Sequence, residues 1–246
     1  MEFERNYFVH YYDSDQKLNL HITGLMRYLE DIALLQSEAL NIGLKYYEAN
    51  EVAWVLYKWD INVHNLPVFG QTVRITTEPL GFYRFYAYRI FRIYDSEGNL
   101  LISANSIWIF VNTRFRRPCK INEDMYGRYN VSSEDFKYFE IDDINFDSAA
   151  EYGKEFMVRQ IDIDTNGHVN NIIYVVWALE SLPAGFQEGH SISRIRITYK
   201  KETHFGSRIK SSSHISNTAD GVTTIHQISE DDNCMCLLGI EWKKCH

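Results

Sequence analysis

The chain of 246 residues is long enough for one large or two small domains. Hydrophobic residues make up 45% and charged residues 24%, which predicts a packed core and argues against a disordered chain. The formal net charge of -8 disfavours a general nucleic-acid-binding protein. No run approaches the roughly 18 apolar residues of a membrane-spanning helix, so the sequence excludes that class as well.

The first half predicts one helix followed by four strands. Apolar residues recur at helical spacing within 18–40. They are Ile22, Leu25, Met26, Leu29, Ile32 and Ala33. Strand-like runs follow at 53–64, 72–79, 82–94 and 100–112. Aromatic and β-branched enrichment supports the sheet, since aromatic residues form 15% of the chain.

The second half repeats this order. A helix is predicted at 170–182, and it is apolar nearly all round, as a buried helix would be. Strand-like runs follow at 192–203, 207–216, 222–229 and 236–242, with Asp220-Gly221 as a hairpin turn between the middle pair. The polar segment 120–152 is interpreted as a connection. We therefore expect an N-terminal domain at 1–120, a linker at 121–152 and a C-terminal domain at 153–246.

One helix with a run of antiparallel strands, occurring twice, predicts the α+β class. A buried helix needs a curved sheet around it, which is the hotdog arrangement. The prediction is a double hotdog, with two helix-plus-antiparallel-sheet repeats side by side. The residues before the two helices also resemble each other, with 13–19 aligned on 164–170. Because Asp13, Asp15 and Lys17 would then replace the polar residues of the second copy, we expect the second copy to be the working site and the first to be a relic or scaffold.

The second copy carries a candidate catalytic constellation. Asp164, Asn166 and His168 are spaced i, i+2, i+4, so in an extended segment their side chains would share one face. Gly167 allows a turn, and Asn170 or Asn171 can cap the helix that follows. Backbone N–H groups at that helix N-terminus suit a developing oxyanion, and Glu202 is expected at a strand end in the same half. An isolated Asp-x-Asn-Gly is also a common turn.

The block 164–171 resembles the signature of acyl-acyl-carrier-protein (acyl-ACP) thioesterases, and the resemblance extends over nearly the whole chain. The matching residues of the second half are Tyr174, Trp177, Glu180, Ser181, Pro183 and the run 197–202. Those of the first half are Trp54, Pro67, Gly70, Arg84, Ala104, Ser106, Trp108, Arg114, Arg117 and Pro118.

The resemblance implies a double-hotdog hydrolase that releases fatty acids from the carrier protein, with chemistry in the second domain and acyl-chain binding in the first. It also implies that Asp164, Asn166, His168 and Glu202 are the catalytic residues, with a carboxylate assisting attack and Asn and His polarising the carbonyl. Many plant members have Cys directly after the Glu, whereas this chain has Thr203. Which carboxylate is nucleophile or general base stays open.

Three other functions stay in competition with this one: an acyl-CoA thioesterase, a non-catalytic acyl-binding hotdog module, and a double-hotdog hydratase. The complete polar set argues against the binding module. The basic cluster Arg114, Arg116, Arg117 and Lys120 is a candidate landing site for acidic carrier protein, and Arg194, Arg196, Lys200 and Lys201 are candidates to extend it. The oligomeric state is open, with a homodimer among the options.

No cofactor or metal is expected. The four cysteines (Cys119, Cys234, Cys236 and Cys245) match no zinc spacing, and the histidines have no metal-ligand pattern. The charged N-terminus is followed by no apolar run, so we expect neither a signal peptide nor a transit peptide. A cytoplasmic location is the corresponding expectation.

Overall fold

The computed structural model describes residues 1–132, 134, 137–147, 149–218 and 221–245. They form two compact units. Unit 1 comprises Met1–Tyr57 and Val63–Glu140, and unit 2 comprises Lys58–Asn62 and Ile141–His246. Each unit combines antiparallel strands with a main helix, which confirms the α+β class.

Unit 1 is built on four antiparallel strands paired in the order β1-β3-β4-β5. Their bounds are β1 Phe3–Phe8, β3 Thr72–Tyr83, β4 Tyr86–Tyr94 and β5 Leu100–Asn112. The strand β2 (Val52–Val63) is divided between the two units, and the two-residue strand β6 (Arg117–Pro118) pairs with β5. Buried residues alternate with half-buried ones along β4, so one face of the sheet is turned toward the core.

Helix α1 (Ile22–Ala39) lies against β1 and β3. Its predicted apolar stripe is buried, with Leu25, Met26 and Leu29 fully enclosed. Burying one such side chain contributes about 1.5–3 kcal/mol, so the stripe is the main term that holds the helix to the sheet. The helix begins later than predicted because Leu18 adopts a left-handed conformation (φ 63°), which ends a preceding turn. A short helix α2 (Leu44–Ala49) follows.

Helix α3 (Glu123–Tyr129) lies within the segment predicted to be a connection. Its N-cap, Asn122, accepts a hydrogen bond from the backbone N–H of Met125 at 3.0 Å. Met125 and Tyr129 are buried in the core of unit 1, next to Phe82. The segment therefore contributes side chains to the core of unit 1.

A polar cluster lies inside unit 1. The Arg89 guanidinium is buried and donates from Nη1 to Gln36 Oε1 at 2.5 Å and to Thr77 Oγ1 at 2.9 Å. It lies 5.6 Å from the centre of the Tyr129 ring, whose hydroxyl is 2.6 Å from Ser37 Oγ. Burial lowers the pKa of Arg89, since these neutral partners replace water around a positive charge.

Unit 2 has the same plan. Lys58–Asn62 of β2 is followed across its sheet by β8, β11, β10, β9 and β7, all antiparallel. The bounds are β7 Tyr152–Met157, β8 His190–Tyr199, β9 Arg208–Thr218, β10 Gly221–Glu230 and β11 Asn233–Lys244. Helix α4 (Asn171–Glu180) lies against β7, β9, β10 and β11. Its residues Ile172, Tyr174, Val175, Trp177 and Ala178 are buried, as the all-round apolar pattern predicts.

Besides the two-residue strand β6, two strands were not predicted, and both lie at an edge of the sheet. β1 and β7 are mostly exposed, so neither has the apolar alternation that marks a half-buried strand. Of the predicted hairpin turn, Asp220 lies outside the described residues, while Gly221 begins β10 and pairs with Thr218. Among the described residues, no helix is long and apolar enough to cross a membrane.

Candidate active site

The candidate residues 164–168 form a tight turn. The backbone N–H of Asp164 donates to the carbonyl of His168 at 2.8 Å, and that of Gly167 donates to the carbonyl of Asp164 at 3.1 Å. Asp164 Oδ1 accepts from the backbone N–H groups of Asn166 (2.8 Å) and His168 (3.3 Å). The expectation of an extended segment with three side chains on one face is therefore wrong. Gly167 reverses the chain at φ 80°, and the Asp164 carboxylate closes the turn.

This turn leads directly into the N-terminus of α4. Asn170 caps the helix, because its Oδ1 accepts from the backbone N–H of Ile172 at 3.0 Å. The backbone N–H of Asn170 donates to the carbonyl of Asp162 at 2.8 Å, which fixes how the chain enters the helix. The predicted cap is confirmed, and the polar residues precede a helix end that favours negative charge.

The His168 and Glu202 side chains meet in unit 2. His168 Nε2 lies 3.2 Å from Glu202 Oε2, with 24% of the His168 side chain and 42% of the Glu202 side chain exposed. A backbone hydrogen bond of 3.1 Å from Val169 N to the carbonyl of Thr203 brings the two segments together. Glu202 lies three residues beyond the end of β8, in a loop and not at the end of a strand as expected. The pair is within reach of solvent and therefore of a substrate.

Asn166 completes the set. Its side chain is exposed, and its Nδ2 lies 3.4 Å from Asp164 Oδ2. This long contact leaves the amide able to turn toward a ligand carbonyl. Asp164, Asn166 and His168 therefore lie in one turn. His168 of this turn contacts Glu202 of a second segment.

The buried contacts of Thr203, the residue after Glu202, were not predicted from the sequence. Thr203 is fully buried, and its hydroxyl donates to Glu230 Oε2 at 2.6 Å. Tyr174 of α4 also hydrogen-bonds to the backbone of Thr203, and burial raises the pKa of Tyr174. His204, on the other side, has its ring centre 5.1 Å from that of His168. No spacing rule links positions 203 and 230, because the contact depends on how β8 and β10 are arranged.

Unit 1 contains a turn with the same hydrogen bonds. Asp15 N donates to the carbonyl of Asn19 at 2.8 Å, and Asp15 Oδ1 accepts from the backbone N–H groups of Lys17 and Asn19, each at 2.8 Å. Asp15 therefore corresponds to Asp164, Lys17 to Asn166 and Asn19 to His168. The sequence alignment of 13–19 on 164–170 is wrong by two residues.

The counterpart of Glu202 follows from the same comparison. Leu20 N donates to the carbonyl of Pro67 at 2.8 Å, as Val169 N does to that of Thr203, so Leu66 stands where unit 2 has Glu202. Unit 1 keeps the aspartate that closes the turn. It has Lys, Asn and Leu at the other three positions.

The basic residues predicted to bind the carrier protein differ in their contacts within the protein. Arg114, Arg116 and Arg117 are exposed in unit 1, with Arg114 and Arg117 placed near the Phe115 ring. Four positions in unit 2 were suggested to extend this surface, and three of them are engaged within that unit. Arg194 pairs with Asp60 at 2.8 Å, Arg196 lies 3.6 Å from Asp142, and Lys201 Nζ donates to Asn233 Oδ1 at 2.5 Å.

The cysteines are present as thiols. Burial raises the pKa of Cys119, of Cys234 and of Cys236, so these sulfurs are disfavoured as thiolates. Among the residues that the structure describes, no three His, Cys, Asp or Glu side chains are grouped so that they could hold a metal ion.

Comparisons with known proteins match both units. The acyl-ACP thioesterase N-terminal domain matches residues 1–129, and the acyl-ACP thioesterase C-terminal domain matches residues 147–244. A chloroplastic palmitoyl-acyl carrier protein thioesterase of Gossypium hirsutum is 27% identical over 97% of this chain and 60% of its own length. A chloroplastic dodecanoyl-[acyl-carrier-protein] hydrolase of Cinnamomum camphora is 28% identical over 87% of this chain and 59% of its own. The chain thus spans about three fifths of these relatives.

Solved structures agree with the fold. A protein of Lactobacillus plantarum described as an oleoyl thioesterase superposes with a TM-score of 0.94 at 28% identity, covering 100% of this chain and 97% of that one. A 12:0-ACP thioesterase of Umbellularia californica gives a TM-score of 0.84 at 23% identity, covering 99% and 94%. The double-hotdog prediction is confirmed. With both domains of one family matched along its length, the chain belongs to the acyl-ACP thioesterase family.

Proposed function

We propose that this protein hydrolyses fatty acyl-ACP thioesters to free fatty acid and carrier protein. The observation that carries the proposal is the His168–Glu202 pair, 3.2 Å apart, next to the N-terminus of α4 in a chain of this family. The relatives from Gossypium and Cinnamomum are named as enzymes of this reaction. A module that only bound acyl chains would have no use for a partly exposed acid–base pair.

The chemistry requires a proton acceptor and a site for negative charge. In our proposal a water molecule attacks the thioester carbonyl carbon and loses its proton to the Glu202–His168 pair. The carbonyl oxygen becomes an oxyanion, stabilised by the Asn166 amide and by the positive end of the α4 dipole. When the intermediate collapses, the C–S bond breaks and the pair returns the proton to the leaving thiolate. The products are a fatty acid and the carrier thiol.

The two carboxylates are proposed to have different roles. Asp164 Oδ1 already accepts two backbone hydrogen bonds, so its charge is used to hold the turn. Glu202 contacts the imidazole directly. We assign Glu202 to the proton transfer, with His168, and Asp164 to holding Asn166 and His168 in place.

Thioester hydrolysis by near-isosteric variants tests this assignment. Glu202→Gln and Asp164→Asn should each lower kcat by about 10²-fold or more, as removal of a general base or its support does. Glu151→Gln is a matched control. It changes a second histidine–carboxylate pair of unit 2, His214–Glu151, which has a similar separation (3.3 Å) and similar exposure (23% and 45%). Wild-type turnover in folded Glu202→Gln would refute the assignment.

The acyl carrier is tested by presenting one acyl chain on carrier protein and on CoA. We propose that Arg114, Arg116 and Arg117 bind the acidic carrier protein. Their reversal to Glu should raise KM for the carrier-protein substrate and leave KM for a short soluble thioester unchanged. Added salt should reduce the difference, because exposed charges are screened over about 10 Å at 0.1 M. A preference for CoA would favour the acyl-CoA alternative, and an equal effect of the reversal on both substrates would mean that the basic patch is structural.

A division of labour is also proposed, with chemistry at 153–246 and acyl-chain binding at 1–120. It is supported by unit 1, which has Lys, Asn and Leu where unit 2 has Asn166, His168 and Glu202, and by the buried apolar stripe of α1. Leu25→Ala, Met26→Ala and Leu29→Ala should shift the chain-length profile without changing kcat on the preferred chain by more than a few-fold. An unchanged profile across the series would contradict this proposal. A cytoplasmic location is proposed as well, since a reducing compartment maintains thiols such as these.

A further inference from the structure

We propose that the Thr203–Glu230 hydrogen bond is a positioning device that holds Glu202 against His168. Thr203 and Glu230 are then positioning residues, which act through Glu202 and do not touch the substrate. This inference rests on the proposed function, since it assumes that the His168–Glu202 distance matters for turnover.

The first half of the loop that carries Glu202 is held by the start of β11. The backbone N–H groups of Lys200 and Lys201 donate to the carbonyl of Met235 at 2.8 and 3.2 Å. Lys201 Nζ reaches Asn233 Oδ1 at the start of β11. These contacts fix the first half of the loop. They lie on the N-terminal side of Glu202. On its C-terminal side the loop is held by Thr203 and by the hydrogen bond from the backbone N–H of Gly206 to the carbonyl of Val158 at 3.1 Å.

Thr203 fixes that second side from a buried position. Its side chain is fully enclosed, and its hydroxyl donates to the Glu230 carboxylate at 2.6 Å. Hydrogen bonds to an ionised acceptor are short and about twice as strong as neutral ones. Its backbone carbonyl accepts from Val169, the residue directly after His168. One residue thus ties the Glu202 loop to both β10 and the turn that carries the histidine.

Rotation of the Thr203 backbone would move both partners of the catalytic pair, since Glu202 precedes it and Val169 is bound to it. A misplacement of about 1 Å in a reacting group can cost about 10²-fold in rate. The hydroxyl at position 203 therefore has a role that does not require it to act as a nucleophile. Glu230 supplies the fixed acceptor that selects its rotamer.

Steady-state kinetics on a thioester substrate test the inference with three variants at the pair. Thr203→Val keeps the shape and removes the donor. It should lower kcat by about 10-fold or more with KM within about twofold, since geometry and not binding is disturbed. Thr203→Ser restores the donor and should recover most of kcat. Glu230→Gln keeps an acceptor but loses its charge, and should lower kcat by about threefold.

Ser181→Ala is the matched control for lost stability. It removes another buried hydroxyl of unit 2, which donates to the carbonyl of Ala178 at 2.7 Å and lies at the far end of α4. Its kcat should stay at the wild-type value. If folded Thr203→Val keeps wild-type kcat, or if Ser181→Ala loses as much, the positioning role is refuted. Should Thr203→Val not fold, unchanged kcat in folded Glu230→Gln overturns the proposal in its place.

Glu202→Gln in the same series separates the positioning role of Thr203 from the proposed function. Loss of activity in Glu202→Gln with full activity in Thr203→Val would remove the positioning role and keep the proposed function. Full activity in Glu202→Gln would remove the assignment of Glu202 itself.

Discussion

Replacing His226 by Phe should make the stability of the protein less sensitive to mild acid. His226 lies on β10 and is fully buried, with Nε2 2.8 Å from Thr224 Oγ1. The Thr224 oxygen also accepts from Trp242 Nε1 at 2.9 Å. Burial lowers the pKa of His226 from 6.5 to about 3, because no carboxylate of the described chain contributes to offset the loss of water. The folded protein therefore keeps the imidazole neutral well below neutral pH.

The magnitude follows from linkage between proton binding and folding. At pH 7.5 the imidazole is almost entirely neutral in both states and contributes almost no pH dependence. As the pH falls from 6.5 toward 3, the unfolded chain binds a proton that the folded chain does not, so stability is lost. Between pH 7.5 and pH 5 this loss is about 2 kcal/mol, from RT ln(1 + 10^1.5) with the unfolded pKa as reference.

Phe is the suitable replacement because unit 1 has Phe91 at the corresponding place. A register shift follows Ile93 in β4 and Ile228 in β10, and Phe91 and His226 each lie two residues before it. Urea unfolding at pH 7.5 and pH 5 measures the effect. Wild type should lose about 2 kcal/mol more than His226→Phe over this interval. Equal losses in the two proteins would show that His226 is protonated in the folded state at pH 5, which contradicts the prediction.

Three further predictions concern other parts of the chain. A variant with all four cysteines changed to Ser should keep most of its thioesterase activity, because burial raises the pKa of three of these thiols and disfavours the thiolate. Mass spectrometry of the wild type after rapid quenching should find no acyl group on sulfur. Gln36→Leu should lower the free energy of unfolding by about 1–3 kcal/mol, because it removes a hydrogen-bond acceptor from the buried Arg89 guanidinium. A change smaller than the error of urea unfolding would contradict this role of Gln36. Gly167→Val should destabilise the protein by about 1–2 kcal/mol because the backbone at position 167 is left-handed, whereas Gly167→Asn should be tolerated. Equal melting temperatures for the two variants would contradict this expectation.

Periodicity identified the main elements, since each depends on burial of a regular stripe. The α1 residues Leu25, Met26 and Leu29 were predicted as core and are fully buried. β5 has the predicted bounds, because its alternation is bordered by turn residues at both ends. The edge strands β1 and β7 gave no such signal, as their side chains are mostly exposed. Helix α3 was missed because its buried residues, Met125 and Tyr129, lie in a short and otherwise polar stretch.

The motif located the candidate site, but it could not give its geometry. The residue types of Asp164, Asn166 and His168 were sufficient to choose the segment. Their arrangement depends on the Asp164 carboxylate accepting backbone hydrogen bonds, which no i, i+2 pattern specifies. The contact between His168 and Glu202 depends on the backbone hydrogen bond from Val169 to Thr203. The contact between Thr203 and Glu230 depends on where β10 places Glu230, and the motif specifies neither arrangement.

The two turns show which part of the site belongs to the scaffold. Turn 15–19 and turn 164–168 share their hydrogen bonds, although the left-handed position is Leu18 in one and Gly167 in the other. The aspartate is the polar residue that the two turns have in common. In each turn its Oδ1 accepts from the backbone N–H groups two and four residues further along the chain. Unit 1 keeps this aspartate although it has no counterparts of Asn166, His168 and Glu202, so the aspartate is explained by the hydrogen bonds with which it holds the turn. This comparison within one chain supports Glu202, and not Asp164, as the carboxylate that takes the proton.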